Sequence, residues 1–108
     1  MLCKVDEMLP PKIRLIGRDI PIVWVSEEEM PKAWGEYDYE KQVVRVRTEQ
    51  QLAFEADTVL HEFIHAIDDA MQLGMTERQV HCTATGIIAL LKDNPNFYEY
   101  LGHATKST

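Results

Sequence analysis

The chain has 108 residues, of which 45% are hydrophobic and 27% charged, and its formal net charge is −7. This size and composition predict one soluble globular domain, residues 1–108, and the acidic balance argues against binding of nucleic acid, which needs a basic surface. There is no signal-peptide core, no transmembrane stretch and no disulfide framework, so we expect a cytoplasmic protein without a membrane partner.

The first half of the chain has the pattern of strands. Residues 13–25 predict a hairpin with a turn at Gly17. Pro21 cannot donate a backbone hydrogen bond, which favours an edge strand or the start of a strand. Residues 34–47 predict a second hairpin, because valines alternate with arginines in its last segment, Val43–Arg47.

The second half has the pattern of helices. From residue 49 to residue 71 the apolar residues recur every three or four positions, which predicts a helix with one core-facing stripe. Thr76 and Gln79 form a capping box that opens a second helix, and the short link favours antiparallel packing. Aromatic residues 97–101 predict a short helix that covers the core. The expected fold class is α+β, with a small, mostly antiparallel N-terminal sheet packed on both helices.

The most informative motif is His61-Glu62-Phe63-Ile64-His65, which has the pattern H-E-x-x-H inside the first predicted helix. Two histidines four residues apart project from one helix face, about 6 Å from each other, so both imidazoles can bind one Zn²⁺. Glu62 between them can take a proton from a metal-bound water. The alternative interpretation is an exposed helix that carries these residues by chance.

A catalytic zinc site usually has three protein ligands, and we expect the second helix to supply the third. His81 is favoured, because it lies beside the apolar stripe and faces the first helix. Glu77, four residues earlier on the same face, stays open as the alternative, although its charge also suits a helix N-terminus. Asp68 is expected to accept a hydrogen bond from a ligand imidazole. Cys82 is expected to be buried, and Trp34 to lie in the core.

Residues 59–68, with the sequence VLHEFIHAID, resemble the active-site helix of zincin metallopeptidases. The most similar members are very small proteins, often encoded by phages or bacteria: the minigluzincins and the immunity-regulating peptidases that cleave repressors of mobile elements. The Gly35-Glu36 turn, the Val43–Arg47 segment and the run from Val80 to Leu91 resemble the same layout. The resemblance covers about residues 34–101, and its specific part is the H-E-x-x-H string.

This resemblance implies a zinc-dependent metallopeptidase that acts on a peptide or protein, with His61 and His65 as ligands and Glu62 as general base. Many gluzincin-like members take the third ligand from a Glu on the following helix, so His81 would depart from that pattern. In zincins an edge strand aligns the extended substrate, and Val43–Arg47 is expected to be that strand. Zinc would polarise the scissile carbonyl, and Glu62 would move a proton from water to the leaving amine.

Two other functions remain open from the sequence. The chain can be a non-catalytic regulatory or interaction module on a zincin scaffold, in which a fourth ligand such as Glu77 or Cys82 replaces the water and closes the metal site. It can also be a metal-free interaction protein in which the motif is a coincidence. Such a protein would take up no zinc, and its melting temperature would not respond to a chelator.

Overall fold

The computed structural model describes residues 9–106, which form four strands and three helices. The strands are β1 (Lys12–Leu15), β2 (Arg18–Val25), β3 (Gly35–Asp38) and β4 (Val43–Arg47). The helices are α1 (Leu52–Met71), α2 (Glu77–Asp93) and α3 (Pro95–Lys106). The α+β class and both predicted hairpins are confirmed. No helix in this range combines the length and the apolar character that a membrane span requires.

The strands form one sheet in the order β1-β2-β4-β3. Both hairpins pair antiparallel, as predicted, whereas β2 and β4 pair parallel at the centre, so the sheet is mixed, with two of its three pairings antiparallel. The prediction that Val43–Arg47 is an edge strand is wrong, because β2 covers one side of β4 and β3 covers the other. β3 is therefore the edge strand at this end of the sheet. The alternation of apolar and polar residues in β4 predicts a strand, but it does not show that β4 also pairs in parallel with β2, which lies earlier in the chain.

Pro21 lies within β2, an interior strand, so the prediction of an edge strand is also wrong. The β1–β2 pairing ends where Lys12 faces Pro21, and the β2–β4 pairing begins at Ile22. β1 and β4 thus pair with successive halves of β2, and Pro21 stands where one pairing ends and the other begins. Its missing N–H consequently removes no hydrogen bond from the β2–β4 ladder.

The core has two parts, one on each side of α1. Between the sheet and α1 the buried apolar cluster consists of Ile20, Ile22, Tyr37, Val44, Val46, Phe63 and Ala66. Between α1 and α2 a smaller cluster contains Ile64, Val80 and Ala84. Contacts from His65 to Glu77 and from Asp57 to Thr85 run in opposite directions along the two helices, as expected for antiparallel packing. Because α1 is enclosed on two sides, polar residues on it are also buried, among them Thr58 and Glu62.

The predicted C-terminal helix is present as α3, but it does not cover the core. None of its residues is buried, and Tyr98 and Tyr100 are 61% and 64% exposed. Phe97 and Tyr100 stack on each other, with ring centroids 6.4 Å apart. Pro95 lacks the N–H that would continue α2, so a new helix begins there, and it packs on α2 rather than on the sheet.

Gly35, the first residue of β3, allows a close approach between this edge strand and α1. A Cβ on Gly35 would lie 2.6 Å from Thr58 Cγ2 and 3.1 Å from Glu62 Oε2. We therefore expect Gly35→Ala to push β3 away from α1 and to lower the free energy of unfolding by about 1–3 kcal/mol in chemical denaturation. Gly86→Ala is the control, because this helical position has open space and should be neutral or stabilised by about 1 kcal/mol. An unchanged stability of Gly35→Ala would contradict the close approach.

Candidate metal centre

His61 and His65 lie one turn apart on α1 and project from the same face, as their spacing predicts. Their ring centroids are 5.0 Å apart. The side chains are 18% and 16% exposed, so both rings are mostly shielded from solvent.

Glu77, the first residue of α2, reaches both imidazoles. Its Oε1 lies 2.6 Å from His61 Nε2, and its Oε2 lies 3.0 Å from His65 Nε2. The predicted capping box is confirmed: Thr76 Oγ1 accepts from the Gln79 N–H, and the Gln79 side chain accepts from the Thr76 N–H. Because of this cap, α2 begins at Glu77, the residue whose carboxylate contacts the histidine pair.

The side chains of His61, His65 and Glu77 could together hold a metal ion. Their ligand atoms all lie within 4.8 Å of one another. Zinc binds imidazole nitrogen and carboxylate oxygen at about 2.0–2.2 Å, so its tetrahedral ligand atoms are about 3.4 Å apart. The contacts at 2.6 and 3.0 Å are slightly shorter than this. The Glu77 side chain is 70% exposed, so its carboxylate can withdraw by this small distance without disturbing the core.

His81, the favoured third ligand, is exposed and lies outside this group of ligand atoms. Its ring centroid is 6.2 Å from that of His61. The helix register explains the difference, because the Asp68 carboxylate accepts the Met75 N–H at 3.0 Å and ties the link between the helices. This link brings Glu77 level with the histidine pair and His81 one turn further along α2. The structure thus brings the alternative ligand into contact, and ligation by His81 stays a prediction.

Glu62 lies between the two histidines in sequence, and its side chain lies against Gly35 of β3 in the wall of a cleft that His61 and Glu77 also line. The residue is only 7% exposed, and its carboxylate accepts a hydrogen bond from the Tyr37 N–H. The pKa of Glu62 is raised to about 7, mainly by burial and also by the nearby charges of Glu77 and Glu36, while the hydrogen bond from the Tyr37 N–H acts in the opposite direction. A carboxyl group with this pKa can take up and release a proton at neutral pH.

The raised pKa of Glu62 predicts a pH-dependent stability of the metal-free protein. The pKa is about 7 in the folded chain against an ordinary 4.5, so the folded state holds the extra proton between these values. The free energy of unfolding should therefore fall as the pH rises through this window. Glu62→Gln removes this term, and above pH 7 we expect the variant to be more stable than wild type by up to about 3 kcal/mol. Denaturation with a chelator present measures this; parallel curves would contradict it.

Tyr39, rather than Asp68, contacts the outer nitrogen of a histidine of this pair. Its hydroxyl oxygen lies 2.9 Å from His65 Nδ1. If Nδ1–H donates to this oxygen, the lone pair of His65 is on Nε2, the atom that faces Glu77. Asp68 instead binds the Met75 N–H, so the prediction that it orients a ligand imidazole is wrong. The sequence offered four tyrosines and no means of choosing among them.

Tyr39→Phe should lower the affinity for zinc by about 10-fold, because the variant keeps the ring and removes the oxygen that orients His65. Competition with a chromophoric chelator measures this affinity. Tyr98→Phe is the matched control, since this exposed tyrosine lies on α3. Equal affinities of the two variants would show that the Tyr39 hydroxyl does not support the site.

A cleft of about 260 Å³ adjoins the site, and its wall includes Trp34, Phe54, Asp57, Thr58 and His81. Trp34 is 46% exposed, so its assignment to the core is wrong. Its ring is held at the surface by the Arg47 guanidinium, 4.1 Å from the ring centroid, and by the edge of Phe54. Cys82 is exposed as well, contrary to the prediction.

Gln50 holds this wall of the cleft against α1. Its side-chain amide donates to the backbone oxygens of Trp34 and Arg47 at 3.1 and 2.8 Å. Its carbonyl oxygen accepts from Thr58 Oγ1 at 3.0 Å. One side chain therefore connects the start of β3, the end of β4 and the middle of α1, which fixes the aromatic wall beside the histidine pair.

Comparison with known proteins gave no further identification. No protein-family model, curated protein or solved structure matches the chain. Sequence reasoning did not single out Trp34, Phe54 or Tyr39 for the site, and the one available signal was Gly35, since an isolated glycine at a strand often marks a close backbone approach. The function is therefore argued from the His61, His65 and Glu77 site itself.

Proposed function

We propose that this protein is a zinc-dependent metallopeptidase with a minimal zincin-like site, in which His61, His65 and Glu77 hold the ion and Glu62 is the general base. The observation that carries the proposal is the contact of one carboxylate with both Nε2 atoms, at 2.6 and 3.0 Å. Three protein ligands with room for a water are typical of catalytic zinc sites, whereas structural sites have four.

A zinc ion held by His61, His65 and Glu77 would act as a Lewis acid towards water and the scissile carbonyl. Glu62 accepts the proton of the attacking water and delivers it to the nitrogen of the leaving amine. The Tyr37 N–H holds the Glu62 carboxylate in place, and the surrounding protein keeps bulk water away from it. Tyr39 orients His65 during these steps.

An extended peptide is the substrate form that suits this site. β3 is an edge strand, and it runs directly beside α1, where Gly35 touches Thr58 and the Tyr37 N–H reaches Glu62. A peptide that pairs with this edge would gain main-chain hydrogen bonds and pass the general base. The strand that was first expected to do this, β4, has no free edge.

The proposal is tested with purified protein and a mixed peptide library. We expect uptake of about one zinc ion per chain, new peptide termini detected by mass spectrometry, loss of cleavage with a chelator and recovery on addition of zinc. Zinc binding without cleavage of any peptide would favour the non-catalytic module. An absence of zinc binding would favour the metal-free interaction protein.

A further inference from the structure

The cleft beside the metal centre has the size of one side chain. Its volume is about 260 Å³, below the roughly 300–1,000 Å³ of pockets that hold whole small-molecule ligands. His61, Glu62 and Glu77 are part of its wall, so anything that fills it lies next to the ion and the general base. A peptide bound for cleavage would place a side chain adjacent to the scissile bond in this cleft.

Two aromatic rings, those of Trp34 and Phe54, form part of the wall of the cleft. Trp34 and Phe54 are 46% and 48% exposed and meet edge to face, with centroids 5.3 Å apart. Aromatic faces attract cations within about 6 Å, and the Trp34 ring already has the Arg47 guanidinium at 4.1 Å. The Arg47 charge is balanced in turn by Glu27, at 3.8 Å. These rings can pack against the long methylene stem of a lysine or arginine as well as against its charged end.

The wall of the cleft contains three carboxylates, those of Asp57, Glu62 and Glu77. Asp57 lies one turn before His61 on α1, and the Thr85 hydroxyl of α2 donates to its Oδ2 at 3.4 Å. No lysine or arginine among the described residues is part of the wall. With Glu77 on the ion and Glu62 acting as the base, Asp57 is the carboxylate left to meet a substrate side chain. An apolar occupant would remove water from this carboxylate without replacing its hydrogen bonds, and an acidic occupant would be repelled.

We infer that this cleft binds a basic side chain, so that the peptidase selects substrates with arginine or lysine next to the scissile bond. This inference rests on the proposed metallopeptidase function. Asp57 pairs with the cationic end, Trp34 and Phe54 hold the stem, and the formal net charge of −7 favours the approach of cationic peptides.

The test uses zinc-binding peptide hydroxamates, because their binding requires the metal but not turnover. Three compounds of one scaffold carry arginine, leucine or glutamate beside the hydroxamate, and binding to the zinc-loaded protein is followed by calorimetry. We expect the arginine compound to bind at least about 10-fold more tightly than the leucine compound, and the glutamate compound to bind most weakly. This preference should shrink between about 0.05 and about 0.5 M salt.

Two variants identify the source of the preference. Asp57→Asn keeps the shape and can still accept from Thr85, and it should reduce the arginine preference to less than about threefold. Asp93→Asn removes the same charge about 24 Å along α2 from Glu77 and should preserve the preference. Equal binding of all three compounds, tightest binding of the leucine compound, or an unchanged preference in Asp57→Asn would overturn the inference and leave the peptidase assignment intact. If no hydroxamate shows zinc-dependent binding, the proposed function falls and the inference with it.

Discussion

Glu77→Gln should lower the affinity for zinc by at least about 100-fold, because a neutral amide replaces the carboxylate that contacts both histidines at 2.6 and 3.0 Å. The side chain is 70% exposed and Gln keeps its length, so the fold should tolerate the change. The Thr76–Gln79 capping box does not involve the Glu77 side chain and stays intact. Competition with a chromophoric chelator measures the affinity, and far-ultraviolet circular dichroism checks the fold.

His81→Gln is the matched control for this prediction. The two residues lie one turn apart on the same face of α2, and the ring of His81 is outside the group of ligand atoms. We expect the zinc affinity of His81→Gln to stay within about threefold of that of the wild type. If His81→Gln loses zinc and Glu77→Gln keeps it, the ligand set is His61, His65 and His81, as the sequence first suggested, and the contacts of Glu77 have another role.

Glu62→Gln should lower the proposed peptidase activity by about 10²–10⁴-fold and leave zinc binding unchanged. The amide has nearly the same shape as the carboxyl group and can accept the Tyr37 N–H, but it cannot take a proton from water. Because zinc affinity and fold are retained, the loss should appear in kcat. The matched comparison is Glu36→Gln, which removes a nearby carboxylate that pairs with Arg45 on β4.

The two Glu62 measurements, turnover and stability, should move in opposite directions in the variant. The same burial that makes the carboxyl group a strong proton acceptor destabilises its charged form in the folded, metal-free chain. A variant that loses activity and gains stability above pH 7 would link both effects to this one group. Activity close to that of wild type would exclude Glu62 as the general base.

Much of the local structure followed from short-range patterns. The three- and four-residue spacing in residues 49–71 predicted α1, and Thr76 with Gln79 predicted the start of α2, because helix periodicity and capping involve residues within one or two turns. The alternation of apolar and polar residues predicted both hairpins, because a hairpin also joins residues that are close together in the sequence. The direction of His61 and His65 also follows from helix geometry alone, so this half of the site was visible before the fold.

The rest of the site depends on how separate elements meet. Glu77 and His81 share one helix face, so spacing could not rank them, and the tie between Asp68 and Met75 sets the register that brings Glu77 to the histidines. The parallel contact of β2 with β4 leaves the free edge to β3, and Arg47 with Phe54 keeps Trp34 at the surface. The sequence by itself determined the individual helices and strands, because their periodic patterns are local. The packing between distant segments, which no local period encodes, decided which residue of α2 contacts the histidine pair, which strand has the free edge and which residues line the cleft.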